Sequence, residues 1–258
     1  VNTDRRTRLG WRFWLITLAA LGAMALTASL GRWQLSRAAH KRALQSAIDE
    51  RAAQPPLPLP RLAEVRDADG LQPLLHRQVQ LRGQWVEDAT VFLDNRQMYG
   101  RPGFFVLTPL RLALPAGAGQ GAVVLVQRGW VPRDFLDRTR LPEVATPPGE
   151  VQLPGRVAGP PSRLYEFQAP AGTGPGSSRI RQNLDVAAFA AETGLPLLPL
   201  SVVQTGAGAD GLSRDWPAVD NGVDKHYGYA FQWFGLCALV AILYVWFQLV
   251  RRFARPRT

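Results

Sequence analysis

The chain has 258 residues, 47% of them hydrophobic, with 30 basic against 20 acidic side chains, 3 histidines and one cysteine. A single cysteine excludes an internal disulfide framework and any multi-cysteine metal site. The basic excess is uneven: residues 1–60 carry 9 basic and 3 acidic side chains, 61–210 carry 15 and 14, and 211–258 carry 6 and 3. It therefore lies at the two ends, where anionic lipid explains it better than a nucleic acid does, and no nucleic-acid partner is expected.

The first end holds an apolar run, Phe13–Leu30, of 18 residues without a charge. At 1.5 Å per helical residue it covers about 27 Å of a hydrocarbon core about 30 Å thick, which predicts a transmembrane helix over 13–30. Trp11, Trp14 and Trp33 sit at its ends, at headgroup level. The run exceeds the apolar core of a cleaved signal peptide, usually about 7–15 residues, although Arg5, Arg6 and Arg8 precede it as they would in one. Residues 31–54 lack proline and an internal glycine and are rich in Ala, Leu, Arg and Gln, so the helix is expected to continue beyond the bilayer. Pro55, Pro56, Pro58 and Pro60 then predict a stiff extended spacer over 55–60.

Residues 61–220 read as a mainly β domain. Short runs rich in β-branched and aromatic residues recur between glycines and prolines at Arg77–Val86, Thr90–Asn95, Phe104–Leu114, Ala122–Val131, Val151–Ala158 and Leu197–Gln204, a spacing that suits a small barrel or a sandwich. One short helix is expected at Asp185–Glu192, with Asp185 as N-cap and Gly194 as stop. The stretches 115–121 and 169–178 are Gly/Pro-rich connectors. Tyr227–Val250 is the second predicted span, interrupted only by Gln232 and Gln248, and 251–258 is a basic tail. Basic residues flank the first span equally, but Arg251, Arg252, Arg255 and Arg257 follow the second while only Arg214 and Lys225 precede it, accompanied by Asp215, Asp220 and Asp224. Both termini are therefore expected in the cytoplasm, with the middle domain periplasmic in a bacterial inner membrane or in the intermembrane space of a mitochondrion. The fold class is a membrane protein of α+β type, with two terminal transmembrane helices flanking a mainly β domain.

Three histidines limit catalytic schemes, and no G-x-S-x-G elbow, H-E-x-x-H or phosphate-binding glycine loop is present, so no enzyme is expected. A membrane-tethered hydrolase ranks last, since it needs His40 or His76, to which no role is assigned. His226 opens the second span and shares a helical face with Tyr229, Ala230 and Trp233 at i+3, i+4 and i+7. A neutral imidazole beside aromatics at an apolar boundary suits an iron macrocycle, and equally a histidine bonded to headgroups or backbone. Gln34, Arg37 and Lys41, with Trp33 beside them, form a second face close to the membrane that suits carboxylates or lipid phosphates.

Four patches together resemble the surfeit locus protein 1 family of cytochrome c oxidase assembly factors. They are Gly31-Arg32-Trp33-Gln34-Leu35 with Arg37 and Lys41; Gly103-Phe104-Phe105-Val106 leading to Thr108-Pro109-Leu110; Arg128-Gly129-Trp130-Val131-Pro132; and His226 with Tyr229, Ala230 and Trp233. The resemblance covers almost the whole chain. It implies a non-enzymatic factor that binds haem a and assists its insertion into the oxidase catalytic subunit, with that subunit, the haem a synthesis enzyme and membrane lipids as partners. It also implies His226 as ligand to the haem iron, with Tyr229, Trp233, Trp33, Gln34, Arg37 and Lys41 around the cofactor and Arg128, Gly129 and Trp130 as partner or haem contacts. The alternative within the same resemblance is a scaffold that stabilises oxidase assembly intermediates without haem.

Overall fold

The computed structural model describes residues 10–115, 121–134, 136–137, 140–164, 178–216 and 222–251. Arg5, Arg6 and Arg8, most of the connectors 115–121 and 169–178, Asp220, and the tail from 252 onward lie outside the described residues. The chain divides into two compact units, one formed within 1–46 and 219–258 and the other within 47–218.

The first unit is a pair of long helices. The first, α1 (Trp11–Ala52), runs unbroken for 42 residues, so the predicted span and its continuation are one helix. The second is α5 (Val223–Tyr244), whose last turn widens into a π-helical stretch, Val245–Val250. Both are long and apolar enough to cross a membrane. They run antiparallel: Thr17 Oγ1 lies 3.0 Å from Tyr244 OH, and the Cys237 thiol faces the Met24 carbonyl at 3.5 Å. Gly31 gives the ring of Phe234 its place, because a Cβ there would fall 2.8 Å from that ring. Small residues let helix backbones approach in this way, which gains packing where no hydrophobic force joins helices in lipid.

The second unit begins in the proline stretch, where the expectation of a free spacer over 55–60 needs correction. Leu57 is buried and bridges in parallel to Val79, its N–H donating to the Gln78 carbonyl at 2.7 Å. From Leu59 the chain is helical as α2 (Leu59–Ala63). Pro60 fits there because the first turn of a helix needs no N–H from it. A further short helix, α3 (Ala68–Leu71), follows, capped by Asp67, which accepts from the Gly70 N–H.

Among the described residues seven strands make one sheet: β1 (Gln78–Trp85), β2 (Val91–Met98), β3 (Arg101–Leu112), β4 (Val123–Pro132), β5 (Glu150–Ala158), β6 (Ile180–Arg181) and β7 (Leu197–Gln204). The order is β1-β5-β7-β4-β3-β2-β6, and β1 pairs with β3 as well. The sheet thus closes into a five-stranded barrel of β1, β5, β7, β4 and β3, which resolves the choice between barrel and sandwich. The long β3 makes this possible. One edge pairs with β4; the other pairs with β2 from Arg101 to Leu107 and with β1 from Leu110 to Leu112. Gly83 sits at the closure, where a Cβ would lie 2.1 Å from the Arg111 carbonyl oxygen.

Alternation along each strand sorts the two faces. Leu81, Leu110, Val124, Val126, Leu153, Leu200 and Val202 fill the interior. Their burial is worth about 1.5–3 kcal/mol for each large side chain before conformational entropy is subtracted. Leu107 and Leu125 face the other way and pack against Val186 and Phe189 of α4 (Val186–Thr193). That helix is capped by Asp185, which accepts from the Ala188 N–H at 3.0 Å, and it stops at Gly194 with φ +66°.

Candidate functional site

The helix pair brings two of the sequence-predicted residues into direct contact. Gln34 is a buried position of α1 together with Gly31 and Ala38, and their spacing of three and four residues marks the face turned to α5. On α5 the matching positions are His226, Ala230 and Phe234 in successive turns, with Ala230 buried. There His226 Nδ1 lies 2.7 Å from Gln34 Oε1. A carbonyl oxygen can only accept, so this nitrogen carries the proton and donates it. The lone pair then lies on Nε2, which has no hydrogen-bond partner among the described residues. This is the tautomer a metal ligand requires, held by the kind of outer contact that ligating histidines ordinarily have.

Positive charge gathers at the same end of the helix pair. The cationic groups of Lys41 and Arg37 lie within electrostatic reach of the His226 ring. Lys41 Nζ approaches Gly222, the residue that caps α5 with φ +53°. Arg42 stacks its guanidinium over the ring of Tyr227 at 5.3 Å, a contact worth about 0.5–1 kcal/mol at an exposed position. Among the described residues no three His, Cys, Asp or Glu side chains gather in a metal-binding cluster.

The remaining predicted residues divide. Trp233 is half-buried, whereas Tyr229 and Trp33 are 53% and 54% exposed. Along the face shared by His226, Tyr229, Ala230 and Trp233, Ala230 is buried and Tyr229 is exposed. His40 is exposed on α1, and His76 belongs to the β domain. Sequence reasoning missed Phe234 and Arg42. Phe234 lies eight residues after His226, on the same face, and the period alone pointed to it.

Arg128, Gly129 and Trp130, which the resemblance offers as partner or haem contacts, all lie within β4, inside the strand expected there. Arg128 is 1% exposed and Trp130 is buried, its indole N–H donating to the Arg96 carbonyl at 2.9 Å. A Cβ on Gly129 would fall 2.6 Å from that of Leu212, so this glycine admits the 212–213 segment, which pairs with Trp130 through two backbone hydrogen bonds. R-G-W thus marks a packing requirement of the barrel.

With this geometry in place, the chain matches the model of the SURF1 family over residues 21–238. It is 30% identical to "Surfeit locus protein 1" of Mus musculus over 265 residues, covering 95% of this chain and 76% of the mouse protein. It is 25% identical to a "SURF1-like protein" of Rickettsia felis, covering 88% of this chain and 94% of that one. Over 156 residues it is 27% identical to "Cytochrome oxidase assembly protein SHY1" of Saccharomyces cerevisiae, covering 59% of this chain and 38% of the yeast protein. By the extent of the family match and the coverage of its relatives, this chain belongs to the SURF1 family.

Proposed function

We propose that the chain is a membrane-embedded factor in cytochrome oxidase assembly that holds haem a at the His226 end of its helix pair and assists its delivery to the oxidase catalytic subunit. The assembly role rests on family membership and on the name of the yeast relative. The haem role rests on one observation, the 2.7 Å contact that fixes the His226 tautomer and leaves Nε2 to bind. The residues present fit haem with one histidine ligand: His226, oriented by Gln34, would hold the iron, Trp233 two turns along α5 would offer an aromatic surface, and Arg37 and Lys41 would pair with propionates. Haem, when bound, would supply an iron able to accept the Nε2 lone pair and a flat apolar body for aromatic contact. The side chains themselves orient and hold; none needs to transfer a proton. Both termini lie on the cytoplasmic side in this reading, with 61–220 on the opposite side of the inner membrane.

A strain that makes a haem a-containing oxidase and lacks this chain tests the proposal. The oxidase should be recovered with its haem a content several-fold reduced, restored by the wild-type chain and not by His226→Ala. Full haem a content without the chain, or equal rescue by His226→Ala, would contradict it.

A further inference from the structure

A different site lies at one end of the barrel. The interior is apolar from Leu81 to Val126, but the last inward positions of β4 and β7 are Arg128 and Gln204. Arg128 is the extra residue of a β-bulge, since Leu107 pairs with Gln127 and Val106 with Gly129. Bulges re-aim side chains, and this one turns the guanidinium over the ring of Trp85 at 4.7 Å. Trp85, Arg128, Val151, Leu153 and Gln204 together line a cleft of about 560 Å³, within the range of small-molecule sites and at a barrel mouth, where such sites recur.

The charges in the wall of this cleft are already matched. Arg128 Nη1 donates to Thr146 Oγ1 at 2.8 Å, and Nη2 donates to the Ala145 carbonyl at 2.7 Å and to Asp210 Oδ2 at 3.2 Å. Arg214 also donates to Asp210, at 2.5 Å, and Glu87 lies within electrostatic reach of Arg128. Two guanidinium groups thus face two carboxylates, and no net charge is left to attract an ion. Gln204 is the side chain with no partner at all: Nε of Arg128 and of Arg214 are also buried without one, but both guanidinium groups bond elsewhere, whereas Gln204 is 8% exposed, its Oε1 is buried without a partner, and its carboxamide makes no hydrogen bond among the described residues. A buried polar group in that state is destabilising unless something binds it.

We propose that the barrel mouth binds an uncharged, peptide-like amide with an aliphatic side chain. The ligand carbonyl accepts from Gln204 Nε2–H, its N–H donates to Gln204 Oε1, and its aliphatic part lies against Trp85, Val151 and Leu153. This site is independent of haem.

The test uses the full chain labelled with 5-fluorotryptophan in lipid nanodiscs, the Trp85 resonance being assigned with Trp85→Phe. N-acetyl-leucinamide should shift that resonance saturably, and N-acetyl-leucine, which carries a carboxylate, should not. A blocked tripeptide with a central leucine should bind more tightly than the single residue if the source is a polypeptide and equally if it is a residue-sized amide; both support the site. Gln204→Met should weaken binding about tenfold or more while leaving the melting temperature of the ligand-free protein unchanged or higher, which a merely structural glutamine would not do. No saturable shift up to the solubility limit, equal binding of the carboxylate, or unchanged binding by Gln204→Met would overturn the proposal.

Discussion

The imidazole Nδ1 of His226 on α5 is hydrogen-bonded to the side-chain oxygen of Gln34 on α1 at 2.7 Å. The two residues are separated by almost two hundred positions in the chain, and the contact exists only because the helices pack antiparallel, with Gly31 of α1 against Phe234 of α5. Orientation of the histidine and packing of the helix pair are therefore one structural event.

If that contact sets ligand orientation, Gln34→Leu should lower haem affinity by about 10–100-fold, the usual effect of losing the group that orients a ligating histidine. Gln34→Glu should retain most of the affinity, because a carboxylate oxygen also accepts from Nδ1–H. Haem titration of the purified variants, followed by absorption, measures both. Equal affinity of Gln34→Leu and wild type would remove Gln34 from the site.

Gly31→Leu should separate the helices at the point where Phe234 now fills the space over the glycine. The expected cost is about 1–3 kcal/mol, as for other overpacked contacts. Phe234→Ala in the same chain should recover part of it by vacating that space, so the pair is non-additive. Thermal unfolding of the single and double variants in nanodiscs reads the coupling.

Much of the fold was legible because it is periodic. An uncharged apolar run, strand alternation, Asp185 and Gly194 all signal locally, and the corresponding elements appear within a few residues of their expected bounds. What was not legible depends on partners distant in sequence. Closure rests on β3 sharing an edge between β2 and β1, and β6 has two residues, too short to show a period. The proline stretch read as a spacer because nothing in it announces that Leu57 pairs with Val79. At the helix pair, His226 and Gln34 were each singled out, but their mutual contact needed the helix crossing. Arg128-Gly129-Trp130 was visible as a motif, while its interior position followed only from the bulge and from the 212–213 segment lying on Gly129.

Asp210 holds two buried guanidinium groups, with side-chain exposures of 1% for Arg128, 6% for Arg214 and 11% for Asp210 itself. Asp210→Ala removes the carboxylate that both guanidinium groups share and should cost about 3–5 kcal/mol of β-domain stability. Arg214→Met added to Asp210→Ala should restore part of this by removing one stranded charge. Urea unfolding followed by tryptophan fluorescence checks the order of the three proteins.

His76 supplies a pH dependence. Burial, then the charges of Arg156 and Arg51, hold its pKa below the ordinary 6.5. Arg156 Nη1 lies 3.2 Å from His76 Nδ1, so the ring accepts there and must be neutral to do so. A pKa depressed by folding means that the unfolded chain takes up the proton first. The stabilisation is therefore complete above pH 6.5 and is lost as pH falls from 6.5 through the folded-state pKa. His76 has φ +69°, a conformation asparagine tolerates, so His76→Asn should keep the turn and flatten the acid limb of stability between pH 7 and 5. An unchanged acid limb would assign the dependence to other groups.

The most direct test of the central claim is an absorption spectrum of the detergent-purified chain from cells producing haem a, wild type beside His226→Ala. The wild type should carry haem a, with a Soret band and an α-band that respond to reduction, and His226→Ala should lose most of both while keeping its helix content and melting temperature. A colourless wild-type protein that still co-purifies with an oxidase subunit, or an unchanged spectrum in His226→Ala, would contradict haem binding through His226.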